Sequence, residues 1–527
     1  MAEKKNSRKK TKYYHRRNSG LQKAVLQHIP DDYIDLYPEA RQMERHFVLH
    51  IGPTNSGKTH DAMEALKEAG DGCYLGPLRL LAYEQYEAMN RSGYSCSLLT
   101  GEERSDVEGA CFTASTIEML NLQKEYSAVV IDEAQMLADR DRGGSWTAAI
   151  LGVRAHEVHV CAAPPAEELL VRMIRECEDS YEIIYHERMT PLLCEDARYS
   201  MERDTKKGDA LIVFSRSNVH AVAAELHERG FKTSIIYGAL PYDVRHDQAR
   251  LFSEGETDVV VATDAIGMGM NLPIRRIVFL ETDKFDGIVR RPLTSEEIKQ
   301  IAGRAGRYGI YDVGYVSSEG MRKFIKAGLE SESKPIEEAV IDFPESLLTI
   351  NAELREILQK WDQVKIRPGY VRADTKRLIS LCNMIRELSD DKRFLYRCIT
   401  LTFDEEDRFL LGHWKAMCAT ESRGRVYPVR KYMPTEKSVT DIGSNLDELE
   451  KQFRLCDLLY TYCDRFDHPE FLKELMEVKN LISLRIMKTL ATQKLRPRRC
   501  RYCGRKLAWN HPYSMCERCY RNRYVRR

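Results

Sequence analysis

The segment GPTNSGKT sets two glycines and a Lys-Thr pair at the spacing Gly52-x4-Gly57-Lys58-Thr59. A glycine-rich turn that runs into a helix start presents several backbone N–H groups at once, and the helix dipole adds positive potential, so such a loop cradles phosphate. Gly52, Pro53, Thr54, Asn55, Ser56 and Gly57 would form the cradle, Lys58 would neutralise the outer phosphates, and the Thr59 hydroxyl would ligate Mg²⁺. Further along, SAVVIDEAQ carries an apolar run straight into two adjacent carboxylates. Asp132 would hold the Mg²⁺ shell and Glu133 would orient or activate an attacking water, since phosphoryl transfer asks for positioning and charge neutralisation more than covalent chemistry.

A third group lies in QIAGRAGRYG, where Gln300, Arg304 and Arg307 fall three or four apart, the spacing of one helical face, with Gly303 and Gly306 permitting close approach of another surface. Two arginines on one face suit insertion beside a γ-phosphate held elsewhere, and arginine fingers contribute roughly 10³–10⁵ in rate. The fourth group is Cys500-x2-Cys503-x12-Cys516-x2-Cys519. Two thiolate pairs on tight turns select tetrahedral Zn²⁺ in a closed, structural site, because four protein ligands leave no position for water. His511 between the pairs reads as a loop residue. So short a block cannot build a core unaided, and zinc would supply folding energy on the order of 10–16 kcal/mol. Arg501, Arg505, Lys506, Arg518, Arg521, Arg523, Arg526 and Arg527, interleaved with Tyr502, Trp509, Tyr513, Tyr520 and Tyr524, would then be exposed, a mixture of cations and stacking rings that fits single-stranded nucleic acid.

These residues need elements to hold them. HFVLHIGPTNSGKTHDAMEALKEAG reads as strand, turn and helix closed by Gly70, and the run before Asp132 reads as a strand that delivers both acids to the C-terminal edge of a parallel sheet. DALIVFSR, TSIIYGAL, TDVVVATDAIGMGMNLP and RRIVFLET, separated by helical stretches, predict a second α/β lobe without a phosphate loop of its own. From about residue 335 the strand signals fade. Leu347, Ile350, Leu354, Ile357, Trp361 and Val364 share one stripe, as do Leu475, Val478, Ile482, Ile486 and Leu490, which predicts core-facing helices, while ESRGRVYPVRKYMPTEKS reads as a loop. The expected domains are a basic tail and lead-in at 1–40, a first lobe at 41–190, a second at 191–330, a helical region at 331–493 and a zinc ribbon or knuckle at 494–527.

Composition sets the bounds. A chain of 527 residues is too long for a single core. At 43% hydrophobic and 31% charged, with no apolar run of membrane-spanning length and no secretory leader pattern, it reads as a cytoplasmic protein with no membrane partner. Eleven of the fifteen cysteines, from Cys73 to Cys463, are scattered singly through apolar segments, as reduced buried thiols are. The net charge of +1 conceals segregation: residues 1–17 and 494–527 together hold +18, leaving about −17 for the middle, and basic ends suggest a polyanionic partner.

In order and wording, GPTNSGKT, GPLRLLA, IDEAQM, TDAIGMGMNL and QIAGRAGR resemble superfamily 2 helicases of the DExH type, most closely the RNA helicase of the mitochondrial degradosome, the Suv-three type, in a bacterial form. The resemblance is specific from about residue 46 to 310 and weaker through LDELEKQFRLCDLLYTYCDRFDHPEF. It implies two tandem RecA-like lobes, an α-helical C-terminal region, ATP as the nucleotide, RNA as the partner, 3′-to-5′ movement and an exoribonuclease partner. By the same resemblance Arg79, Thr100, Thr116 and Thr263 would face the phosphodiester backbone, while Asp264 and Gly267 would line the nucleotide cleft. Small hydroxyls and an arginine suit a grip that does not read sequence, so DNA unwinding, translocation without unwinding, and a non-hydrolysing scaffold are the rival readings. Two departures stand out. CAAPPAEE, at Cys161 to Pro165, occupies the place where relatives have Ser-Ala-Thr, and no adenine-reading glutamine motif precedes the phosphate loop.

Overall fold

The structure, a computed structural model, describes residues 20–267, 270, 272–287, 289–492, 498–511 and 513–525, with the side chains of 524 and 525 outside that description. The 1–17 basic run, Arg526, Arg527 and the Tyr524 side chain therefore lie outside the described residues.

Lobe 1 is built on eight strands: β1 (His46–Ile51), β2 (Gly72–Gly76), β3 (Cys96–Thr100), β4 (Glu103–Ser105), β5 (Phe112–Thr116), β6 (Glu125–Ile131), β7 (Arg154–Ala162) and β8 (Ser180–Tyr185). Their order is β4-β3-β5-β2-β6-β7-β1-β8, parallel throughout except for the β3–β4 hairpin. The central strands are near-continuous apolar runs because helices cover both faces of a parallel sheet, and the inner residues of β1 and β6 are buried. The phosphate loop follows β1 and the two acids follow β6, so both emerge at the C-terminal edge, where α/β sheets bind ligands.

Lobe 2 holds β9 (Leu192–Cys194), β10 (Asp209–Ile212), β11 (Thr233–Ile236), β12 (Val259–Ala262), β13 (Arg276–Phe279) and β16 (Gly314–Ser318) in the order β11-β12-β10-β13-β16-β9, all parallel. Between β13 and β16 lies a two-stranded ribbon, β14 (Asp283–Phe285) with β15 (Arg290–Pro292). Residues 186–191 connect the lobes, from the edge strand of one sheet to the edge strand of the other.

The region after 335 is mainly helical, but it contains a short parallel pair, β17 (Ala339–Ile341) with β18 (Tyr370–Arg372), which sequence periodicity does not reveal. The first stripe is buried as expected, Trp361 completely. The stretch read as a loop contains a helical turn, Val429–Tyr432, and the start of the helix Glu436–Ile442. Two long helices, Leu446–Arg465 and Leu472–Thr492, pack together. Along the second, Leu475 belongs to the core shared with lobe 1, whereas Ile482, Ile486 and Leu490 belong to the core of lobe 2. The lead-in also docks, with Val25 and Tyr33 in the lobe 1 core. Among the described residues no helix is long and apolar enough to cross a membrane.

Candidate nucleotide cleft and nucleic-acid surfaces

The phosphate loop needs left-handed backbone at Gly57 (φ +84°) and Asn55 (φ +63°) before the helix Lys58–Glu68 begins. Gly52 serves packing as well as the cradle, since a Cβ there would lie 2.5 Å from the His186 carbonyl oxygen. Lys58 donates from Nζ to the Pro53 carbonyl at 3.1 Å, and the buried Ser56 hydroxyl has no hydrogen-bond partner. Across the loop, Asp132 accepts hydrogen bonds from Tyr74 (2.9 Å), Thr59 (3.2 Å) and the Glu133 amide (2.9 Å), and its own carbonyl accepts from Trp146 Nε1. Burial, reinforced by the neighbouring Glu133, pushes the Asp132 carboxyl up to about 6. A buried oxygen ligand that is costly to ionise alone, with a hydroxyl beside it, is a donor set that fits a hard divalent cation.

Glu133 sits in the left-handed region at φ +51°, an uncommon conformation for a residue with a side chain. Its carboxylate accepts from Gln135 Nε2, and Gln135 Oε1 in turn accepts from the Ala163 amide at 3.0 Å. The CAAPP segment thus connects to the acids through a backbone N–H and Gln135, with no hydroxyl needed. Nothing in the spacing of the sequence motifs singles out Gln135.

From lobe 2, the helix Ser295–Ala302 is opened by a Thr294–Glu297 capping box and closed at Gly303. Gln300 is on this helix, but Arg304 and Arg307 are not. They project from the turn after it, where Gly306 takes φ +75°, so the expected single helical face is corrected to a helix end plus a tight turn. Gly303 is required there, because a Cβ would lie 2.8 Å from Thr54 Cβ. Arg304 donates twice to the Gly267 carbonyl, at 2.9 and 2.6 Å, and Gln300 packs beside Gly267. Asp264 is paired with Lys284 of the ribbon. One cavity of about 180 Å³ is lined by Thr54 to His60 and Glu133 from lobe 1, and by Met270, Leu272, Gly303, Arg304 and Arg307 from lobe 2. Glu84 adds a carboxyl nearby, which burial pushes up to about 8 against the pull of Arg304 and Arg307.

Comparison with known proteins places this cleft in a family. The DEXQ-box helicase domain of Suv3 matches residues 34–186, and the helicase conserved C-terminal domain matches 192–309. A relative from Arabidopsis thaliana, "DExH-box ATP-dependent RNA helicase DExH16, mitochondrial", is 34% identical over 438 residues, 80% of this chain and 76% of its own. The chain belongs to the Suv3-type DExH helicase family. "ATP-dependent RNA helicase SUV3, mitochondrial" of Oryza sativa subsp. japonica is 40% identical over 67% of this chain and 63% of its own length. "ATP-dependent RNA helicase SUPV3L1, mitochondrial" of Mus musculus is 40% identical over 52% of this chain and 36% of its own. This Suv3-type chain therefore spans under two thirds of the length of the rice and mouse relatives.

Of the four residues expected to grip a strand in this Suv3-type chain, Arg79, Thr100 and Thr263 have internal partners. Arg79 pairs with Glu102 and Glu103, lies over the Tyr242 ring of lobe 2 at 5.2 Å, and leaves only 12% of its side chain exposed. Thr100 donates to the Glu103 carbonyl, Thr263 accepts from the Ala265 amide, and Thr116 is nearly buried.

Near the C-terminus, the Sγ atoms of Cys500, Cys503, Cys516 and Cys519 all lie within 4.8 Å of one another. The Cys516 amide points at Cys500 Sγ, and backbone amides of Cys516, Cys503 and Tyr502 hold that thiol down at about 6. A hydrogen bond with Cys503 and the crowding of the other thiols push Cys519 up to about 12. Arg501, Arg505, Lys506, Arg518, Arg521 and Arg523 are exposed, as are Tyr502, Tyr513 and Tyr520, but Trp509 is not. At 5% exposure it sits in the lobe 2 core, a correction to its expected place on the nucleic-acid face. Lys506 pairs with Glu228, and Arg498 reaches Asn218, which completes the dock on lobe 2.

Proposed function

We propose that this chain is an ATP-driven helicase that acts on RNA and moves 3′ to 5′ along one strand. The observation that carries the reading is the single cavity walled by Lys58, Thr59 and Glu133 on one side and by Arg304 and Arg307 on the other. Phosphates of ATP would rest on Lys58 and the loop amides, Glu133 would hold the attacking water, and the two arginines would meet the charge that develops on the transferred group. Magnesium, held by Thr59 and Asp132, would withdraw charge from the phosphates. Gln135 would report the state of Glu133 to the end of β7.

The names of the relatives support ATP and RNA. Zinc is our assignment for the four thiols, supported by soft ligands in a closed set of four. We assign the docked block a strand-holding role, supported by the guanidinium groups of Arg501 and Arg523 lying over the Tyr502 ring, at 4.9 and 4.7 Å. An exoribonuclease partner and a cytoplasmic location belong to the same proposal.

Strand displacement on tailed RNA and DNA duplexes with 3′ or 5′ overhangs, with and without ATP, tests the reading. ATP-dependent displacement of RNA from a 3′ tail is expected. Equal displacement without ATP would point to a binding scaffold, and preference for DNA would reassign the substrate.

A further inference from the structure

Arg188 lies in the segment that joins the lobes, and its guanidinium donates only to backbone carbonyls. Nε reaches Thr190 at 2.7 Å, and Nη1 reaches Thr54 of the phosphate loop and Gly303 of the finger turn, each at 2.9 Å. Nη2 reaches Ala305, also in the finger turn. Burial lowers its pKa to about 10, so the group stays charged at neutral pH. Among the described residues no carboxylate pairs with it within salt-bridge distance. A half-buried cation without a counter-ion gains little for stability alone, but a planar fork can fix several carbonyls in one plane, which an ammonium cannot.

The surroundings repeat the arrangement. Asn55 Nδ2 donates to the Gly306 carbonyl at 2.8 Å, and the Met189 amide donates to the Asn55 carbonyl at 3.1 Å. Met189 also lies against Gly57, where a Cβ would come within 2.5 Å of its methyl group. Phosphate loop, connector and finger turn are therefore assembled around one side chain. The cleft of about 180 Å³ is lined by Thr54 and Gly303, the two residues whose carbonyls Arg188 Nη1 joins.

We infer that Arg188 is a positioning residue, a carbonyl clamp that sets the register of the Arg304–Arg307 turn against the phosphate loop and couples connector movement to finger placement. The inference rests on the ATP-hydrolysis reading. It does not involve contact between Arg188 and the nucleotide.

The full-length chain, its Arg188→Ala and Arg188→Lys variants and their melting temperatures provide the test, with ATP turnover and nucleotide-free amide exchange as readouts. Displacement of reacting groups costs up to about 10²-fold in rate, so kcat should fall by ~10–100-fold with nucleotide KM changed less than about threefold. Free guanidinium at low concentration should restore part of the turnover of Arg188→Ala and none in the wild type, and Arg188→Lys should remain impaired. Amides of residues 54–57 and 303–306 should exchange faster in both variants. Unchanged kcat in Arg188→Ala overturns the inference, as does a loss that follows melting temperature without guanidinium rescue. If the wild type itself fails to turn over ATP, the functional reading fails, while unchanged exchange in both loops would still independently overturn the clamp.

Discussion

Gln135 holds the catalytic candidate Glu133 through its Nε2 and the Ala163 amide through its Oε1, so one side chain spans the ends of β6 and β7. A hydrogen bond to a charged group contributes roughly 1.5–3 kcal/mol, and loss of this one releases the carboxylate from its orienting partner. Gln135→Ala is expected to lower ATP turnover about tenfold and to lower base pairs separated per ATP further. Paired turnover and displacement assays check this; full coupling in the variant would remove Gln135 from the relay.

Glu133→Gln keeps the shape of the site but removes the proposed base. Nucleotide affinity should stay within about threefold while turnover falls by roughly 10²-fold or more, the usual contribution of positioned acid–base groups. Nucleotide titration and single-turnover hydrolysis separate the two, and unchanged turnover would require a different base.

The Asp132 carboxyl titrates at about 6 in the fold against an ordinary value of 3.8, so the folded chain holds its proton more tightly than the unfolded one. Ionisation is therefore a penalty, fully present above about pH 6 and fading as pH falls toward 4. Asp132→Asn should raise the melting temperature at pH 7.5 and raise it less at pH 5. In the wild type, magnesium-dependent nucleotide affinity should fall below about pH 6, by up to tenfold per unit for one competing proton. A variant with the same melting temperature at both pH values as the wild type contradicts the shift.

Trp509 anchors the thiol block on lobe 2, and replacing a buried Trp by Ala commonly costs about 3–5 kcal/mol. Because the block is peripheral, Trp509→Ala should leave the main melting transition in place but expose residues 498–511 to proteolysis. Metal chelation should do the same, since the block's own apolar cluster is only Leu507 and Met515 packed with the thiols of Cys500, Cys516 and Cys519. Both treatments should weaken RNA binding and spare RNA-independent ATP hydrolysis. RNA affinity unaffected by either would turn the exposed arginines toward a protein partner.

Much of the nucleotide site is legible in sequence because its logic is local. A phosphate loop and an acid pair each need one strand, one turn and one helix start, all within a few residues of each other, and Lys58, Thr59, Asp132 and Glu133 meet in one cleft. Arg304 and Arg307 reach the same cleft, although the break at Gly303 and Gly306 hides their turn from a periodicity argument. Arg188 carries no signal, because its partners are carbonyls, which every residue has. Trp509 is misplaced by sequence for a related reason: its burial depends on the lobe 2 core, hundreds of residues away. β17 and β18, three residues each, are too short to show any alternation.

The helix Leu472–Thr492 begins in one core and ends in the other, with the buried Lys479 held by Asp457 between them. From Leu475 to Ile482 is about 10 Å along the axis at ~1.5 Å per residue. A rod seated at both ends does not bend over such a span, so rotation of one lobe against the other must tilt it about Lys479 or drag one seat along. The helix is in effect a lever with its fulcrum in the middle. On the proposed helicase reading, the travel of the lobes would be bounded by how far Ile482, Ile486 and Leu490 can slide before their apolar seat opens to water.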